Sequence, residues 1–272
     1  MTLTVRVTPG TVVTGVGSGS HRRYGQPRMA LSPSTLLGCD GDFLFRGWTV
    51  ATEWVLHLVT DRLESRLPLA EAVAAAVRGG VDAVQVREKG RPAVEVLEAA
   101  LTMVALGSCL VLVNDRVDVT LASGAAGVHL PARGLPLEAA RRLLPAPDGW
   151  LVGVSVHSLE EAQAAAAGGA DYVTFGHVLP TGSKPGLPPR GVQELARVVR
   201  EVPIPVLAIG GIDASNVADV LSTGCAGVAV IRSVLQSEDP CRAVAELRAA
   251  GARARGRPRH PLVRGGGRSR GL

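Results

Sequence analysis

From Trp54 onward, a short apolar run rich in Val, Leu and Ile is followed eight times in succession by a stretch with Ala, Leu, Glu and Arg, mostly at helical spacing. The runs are WVLHLVT (54–60), DAVQVR (82–87), CLVLVN (109–114), GVHL (127–130), LVGVSV (151–156), YVTFG (172–176), PVLAIGG (205–211) and GVAVI (227–231). Helical spacing marks Leu67–Arg78, Pro92–Leu106, Leu159–Ala167, Val192–Arg200, Ala214–Ser222 and Pro240–Ala249. The runs are too uniformly apolar to alternate between a core and water, which predicts parallel strands covered by helices. Glycine-rich punctuation in RGGVDAVQV, AGGADYVTF and STGCAGVAV marks helix-to-strand turns. These features predict an α/β fold, a single (β/α)8 barrel over residues 51–250. An open doubly wound sheet would carry a glycine fingerprint after its first strand, but HLVTDR stands there.

The flanks differ in texture. Residues 1–50 are rich in Gly, Ser, Thr and Arg and lack the apolar core of a secretory signal, so they are read as a disordered leader, with Met29 an alternative first residue. Residues 251–272 contain seven arginines and no acid and are read as a disordered tail. Removing those seven from a net charge of +5 leaves about −2 for the rest, so no specific nucleic-acid partner is expected. Hydrophobic residues make up 46% and aromatic ones 3%, which predicts a core of Val, Leu, Ala and Ile. Four cysteines without CxxC spacing indicate neither zinc nor a disulfide framework, and a reducing cytoplasm is expected. No run of about 18 apolar residues exists, so no membrane span is expected. The sequence leaves a homo-oligomer open.

In a barrel of this kind, reactive groups collect where the strands end. Strands seven and eight end in AIGGID and VIRSV, where Gly210 and Gly211, with Ile231 and Arg232, predict a phosphate cradle. In QVREKG, period-two geometry puts Gln85 and Arg87 on one face with Lys89 just beyond, a set suited to phosphate, diphosphate or carboxylate. Glu88 is expected to be a structural partner. Asn114 and Ser155 stand at two further ends. Of the histidines, His57 lies inside a run and is read as a satisfied core residue, while His129, His157 and His177 stand at strand ends. His157 is the favoured acid/base, with His177 and His129 secondary. After YVTFG, the Pro- and Gly-rich stretch HVLPTGSKPGLPPRG (177–191) exceeds the about 2 to 6 residues of an ordinary βα connection and predicts a substrate loop.

In order and spacing, QVREK, VNDRVD, GVHLP, GVSVHSLEEA, ADYVTFGHVLPTGSKPG, AIGGI and AVIRS resemble the thiamine phosphate synthase superfamily, which comprises the synthases and the TenI-type thiazole tautomerases. The resemblance covers roughly Leu56–Ala249. It implies a barrel acting on a small phosphorylated thiazole in vitamin B1 synthesis, with Thr181, Ser183 and Lys184 in the loop that contacts thiazole phosphate. Synthases join a pyrimidine diphosphate to thiazole phosphate and hold Mg2+ with two aspartates. Asp115 matches the first, whereas GVHLPARG puts Gly134 where the second belongs. The FGHV and KPGLPPRG wording looks closer to the tautomerases, which need no metal. A thiazole tautomerase without cofactor, using His157 to move a proton between carbons, is therefore expected; the alternatives are a Mg2+-dependent synthase and a non-catalytic thiazole-phosphate-binding relative.

Overall fold

The computed structural model describes residues 43–45, 48–50, 54–184 and 186–252. The chain divides into two units, Met1–Gly38 and Cys39–Leu272, and every described residue belongs to the second. Two short strands, Phe43–Phe45 (β1) and Trp48–Val50 (β2), pair antiparallel within the stretch read as a leader. The remainder of that leader, and the tail beyond 252, lie outside the described residues.

Eight parallel strands follow: Val55–Val59 (β3), Ala83–Val86 (β4), Leu110–Asn114 (β5), Gly127–Leu130 (β6), Leu151–Val156 (β7), Tyr172–Gly176 (β8), Val206–Ile209 (β9) and Gly227–Val230 (β10). Each pairs with the next, and β10 closes on β3 with Val228 opposite Leu56. The helices are Leu69–Arg78 (α1), Ala93–Val104 (α2), Val117–Ser123 (α3), Leu137–Leu143 (α4), Leu159–Ala167 (α5), Gly191–Glu201 (α6), Val217–Leu221 (α7), Arg232–Leu235 (α8) and Pro240–Ala252 (α9). The predicted (β/α)8 barrel is thus the observed one. The first two helices start later than their periodicity suggests because Pro68 and Pro92 sit at the caps, where a missing N–H costs nothing. The seventh is shorter because Asp213 and Asn216 tie up the preceding turn: Asp213 Oδ1 accepts from Ser215 N at 2.8 Å, and Asn216 Oδ1 from Asp213 N at 3.1 Å.

Strand parity divides the core. Outward residues such as Leu56, Leu58, Val84, Val111, Val173, Phe175 and Val228 pack against the helices. Inward residues Val55, Ala83, Leu110, Leu112, Leu151, Tyr172 and Leu207 fill the lumen near the strand starts. The Tyr172 ring lies across the lumen, and a Cβ on Gly153 would come 2.1 Å from its Cζ, so only glycine fits opposite it.

The aspartates in GVDAVQV and GADYVTF do more than turn the chain. Asp82 accepts from Leu56 N at 2.7 Å and pairs with Arg248 of α9, whose guanidinium also stacks 4.5 Å from the centre of the Trp54 ring. Asp171 accepts from Val152 N at 2.7 Å and pairs with Arg141 of α4. Each carboxylate accepts the N–H of the second residue of a neighbouring strand and pairs with an arginine of an outer helix. With the Asp171 side chain 4% exposed and that of Arg141 13%, Asp171→Ala would leave a buried guanidinium without this partner. We expect it to lower unfolding free energy by about 3–5 kcal/mol in urea denaturation, while an exposed ion-pair deletion such as Glu138→Ala changes it by about 1 kcal/mol or less.

Candidate active site

Toward the strand ends, the inward positions turn from apolar to polar: Ala83 is followed by Gln85 and Arg87, Leu112 by Asn114, Gly153 by Ser155 and His157, and Tyr172 by Thr174. They surround a cavity of about 880 Å³ at this end of the barrel. Every site candidate named from the sequence lines it: Gln85, Arg87, Lys89, Asn114, Asp115, His129, Ser155, His157, His177, Thr181, Ser183, Lys184, Gly210, Gly211, Ile231 and Arg232.

The floor is a hydrogen-bonded layer. Gln85 Nε2 donates to Asn114 Oδ1 at 2.9 Å, and His129 Nε2 lies 2.9 Å from Ser155 Oγ. His129 is buried, and that burial, with the nearby His57, pushes its pKa down to about 3, so its imidazole is neutral near pH 7. His57 is buried as expected, but its Nε2 has no partner among the described residues, so the expectation of a satisfied core histidine does not hold for that atom.

On the β4 side, Thr60 Oγ1 donates to Glu88 at 2.6 Å and accepts from Arg87 N at 2.9 Å, making Glu88 the structural partner expected of it. Arg87 pairs with Asp61 at 3.1 Å, so part of its charge is already compensated. Lys89 forms no side-chain hydrogen bond or ion pair among the described residues. The Arg87 guanidinium first, and then burial, pull its pKa below the usual lysine range against the opposing pull of Asp61.

The loop after β8 forms a wall closed at its base, where Arg190 N donates to His177 O and Gly191 N to Val178 O, both at 2.9 Å. The His177 ring is 6% exposed, and its Nε2 is 3.2 Å from Leu187 O, which makes it an anchor of this loop. Lys184 Nζ donates to His157 Nε2 at 3.0 Å, and the other face of His157 meets Glu161, which accepts from its backbone N at 2.6 Å and lies 3.5 Å from Nδ1. Burial and then Lys184 lower the His157 pKa, so the imidazole is a neutral acceptor for the ammonium. Arg232 reaches across from α8 to donate to Thr181 Oγ1 at 2.7 Å, and its guanidinium fills the space a Cβ on Gly182 would need. Ser183 N lies 3.4 Å from the same hydroxyl.

Between these walls stand the glycines read from the sequence as a cradle. Gly210 and Gly211 have φ of 104° and 71°, a region side-chain-bearing residues rarely occupy. The N–H groups of Gly211, Arg232 and Ser233 donate to no acceptor among the described residues, nor does the buried Ser233 Oγ have a partner. Ile231, whose carbonyl accepts from Leu235 N at 2.9 Å, sets the start of α8 beside them.

Asp115 sits at φ 67° beside Gly134, where an added Cβ would lie 2.5 Å from Asp115 Oδ1 and 2.7 Å from Pro131 Cδ. Among the described residues there is no group of three or more His, Cys, Asp or Glu able to hold a metal. One carboxylate suits a Mg2+ ion shared with a diphosphate and water rather than one caged by protein.

Three participants escaped sequence reading: Tyr172, Thr174 and Glu161. The first two lie on the same strand parity as Gly176 in YVTFG, and Glu161 stands four residues after His157 on the following helix, so period two and period 3.6 carried the signal.

The family model for thiamine monophosphate synthase matches residues 56–234. The chain belongs to that family. A putative thiamine-phosphate synthase of Geobacter sulfurreducens is 45% identical over 193 residues, covering 69% of this chain and 90% of that protein. A thiamine-phosphate synthase of Anaeromyxobacter dehalogenans is 50% identical over 195 residues, covering 70% and 86%. Among solved structures, thiamine phosphate pyrophosphorylase from Pyrococcus furiosus superposes with a TM-score of 0.68 at 40% identity, covering 75% of this chain and 98% of that one. These relatives overturn the tautomerase expectation, and with it the isomerase activity and the role of His157 as a carbon-to-carbon proton shuttle. That expectation rested on Gly134 and on the wording of two segments, FGHVLPTGSKPGLPPRG and SVHSLEEA, whereas the likeness to the synthases runs through the whole barrel.

The pairing of His157 has a measurable consequence. Lys184 lowers its pKa and Glu161 raises it. By NMR titration of the His157 ring, Lys184→Met should move the midpoint up and Glu161→Gln should move it down, with the parent below the ordinary value of about 6.5.

Proposed function

We propose that this chain is a thiamine-phosphate synthase, a transferase joining hydroxymethylpyrimidine diphosphate to thiazole phosphate. The observation that carries this is the charge layout of one cavity, lined by the cations Arg87, Lys89 and Lys184 and by the N–H groups of Gly211, Arg232 and Ser233, which donate to no acceptor among the described residues. Two phosphorylated substrates need two such anion sites, and about 880 Å³ has room for both. The names of the relatives support the same reading.

In this mechanism the bond from the pyrimidine's methylene carbon to diphosphate breaks, its electron pair leaving with the diphosphate. The thiazole nitrogen supplies the pair for the new carbon–nitrogen bond, giving thiamine phosphate and diphosphate. Lys89, Lys184 and Arg87 face the leaving charge, while the free N–H groups of the cradle hold the thiazole phosphate. His157 positions Lys184 through its Nε2 lone pair, and Gln85, Asn114 and Ser155 face the pyrimidine ring from the floor. Asp115 would hold the Mg2+ with the diphosphate, a cation that neutralises the leaving group's charge. Thr181, itself held by Arg232, shapes the loop over both sites.

We place the activity in the barrel, residues 51–250. The free thiols of Cys109, Cys225 and Cys241 suit a reducing cytoplasm, and among the described residues no helix is long and apolar enough to cross a membrane.

The purified protein, given both substrates and Mg2+, is expected to form thiamine phosphate, to stop on chelation with EDTA and to recover when Mg2+ is restored. Failure to form product above the enzyme-free rate would overturn the reading. Lys184→Met, which removes a charge-assisted contact, should lower kcat/KM by about 10- to 100-fold.

A further inference from the structure

A line of polar groups crosses the barrel lumen at the floor of the substrate cavity. Tyr172 Oη lies 2.9 Å from His129 Nδ1, and His129 Nε2 lies 2.9 Å from Ser155 Oγ and 3.2 Å from Thr174 Oγ1. Tyr172, His129 and Thr174 are each 2% exposed or less, Ser155 is half-buried, and His129, Thr174 and Ser155 line the cavity, with Tyr172 beneath them. The four come from adjacent strands, β6, β7 and β8, with Ser155 directly opposite Thr174.

A neutral imidazole carries one donor and one acceptor, so only one of its two nitrogens holds the proton. A phenol is a better donor than acceptor, because its oxygen lone pair is shared with the ring. A bare imidazole nitrogen is a strong acceptor. Tyr172 O–H therefore donates to Nδ1, and the proton of His129 sits on Nε2, from which it is donated to Ser155 Oγ. Thr174 O–H approaches the same oxygen at 3.4 Å. With its lone pairs so engaged, Ser155 has its own proton left for the cavity.

We propose that Tyr172 and His129 are positioning residues that fix Ser155 as a hydrogen-bond donor to the substrate ring at the cavity floor. The opposite tautomer would draw the Ser155 proton down toward His129 and leave only an acceptor facing the cavity. Gly153 keeps the geometry, since the Tyr172 ring occupies the space of its missing side chain. Burial and the neighbouring His57 keep the imidazole neutral near pH 7, so the donor direction does not change there. The kinetic consequence rests on the synthase reading; the tautomer does not.

Two measurements decide it. In protein carrying 15N-labelled histidine, the His129 ring should show a bare Nδ1 and a protonated Nε2, and Tyr172→Phe should disturb that pattern. A parent His129 protonated at Nδ1 would overturn the proposal. In thiamine phosphate formation, Tyr172→Phe and Ser155→Ala should each lower kcat/KM by about tenfold, and the double variant should be no worse than Ser155→Ala alone. Losses that multiply in the double variant would overturn it as well. Tyr172→Phe keeps the ring, and thermal unfolding close to that of the parent checks that the barrel is intact. Should the parent make no thiamine phosphate, the synthase reading falls, and the labelled-histidine spectrum still decides the tautomer.

Discussion

Closure of eight parallel strands constrains everything else in this molecule. Once β10 pairs with β3, alternate residues of every strand are committed to a narrow lumen and the others to the helix layer, and no strand can slip by one residue without exchanging the two sets. The lumen is too tight for bulk water, so its lower part takes Val, Leu, Ala and the ring of Tyr172. Higher up most polar groups find one another, Gln85 with Asn114 and His129 with Tyr172 and Ser155, while His57 Nε2 is left without a partner among the described residues. The same parity that buries the core therefore aims the floor of the cavity.

The fold was legible because its signal is redundant. Eight runs, eight following segments and recurring Gly punctuation all state one architecture, and a misjudged helix end such as that of α7 leaves the topology unchanged. What the punctuation could not disclose was the second task of Asp82 and Asp171. Their partners, Arg248 and Arg141, lie far away in sequence, and no local rule links a strand-leading aspartate to an arginine on an outer helix.

The site was legible as a set of positions and less so as a set of contacts. The strand-end rule collected the candidates around one cavity, because a barrel has one such end. It could not show that Arg87 is paired with Asp61, that His177 holds a loop, or that His157 receives the ammonium of Lys184. A histidine at a strand end reads as an acid or base from sequence alone, and only its neighbours reveal which of its nitrogens is already engaged. The leap from Gly134 to an isomerase failed for a related reason: one missing carboxylate describes one ligand, whereas the likeness to the synthase family runs from residue 56 to residue 234.

The close fit of Gly134 has a consequence for how this site could change. Because a Cβ at position 134 would come 2.5 Å from Asp115 Oδ1 and 2.7 Å from Pro131 Cδ, a carboxylate does not fit there in the loop as it stands. Either the Pro131 ring or the loop backbone must shift to admit it, and the Asp115 carboxylate must shift as well. A second acidic ligand is thus coupled to the placement of the first.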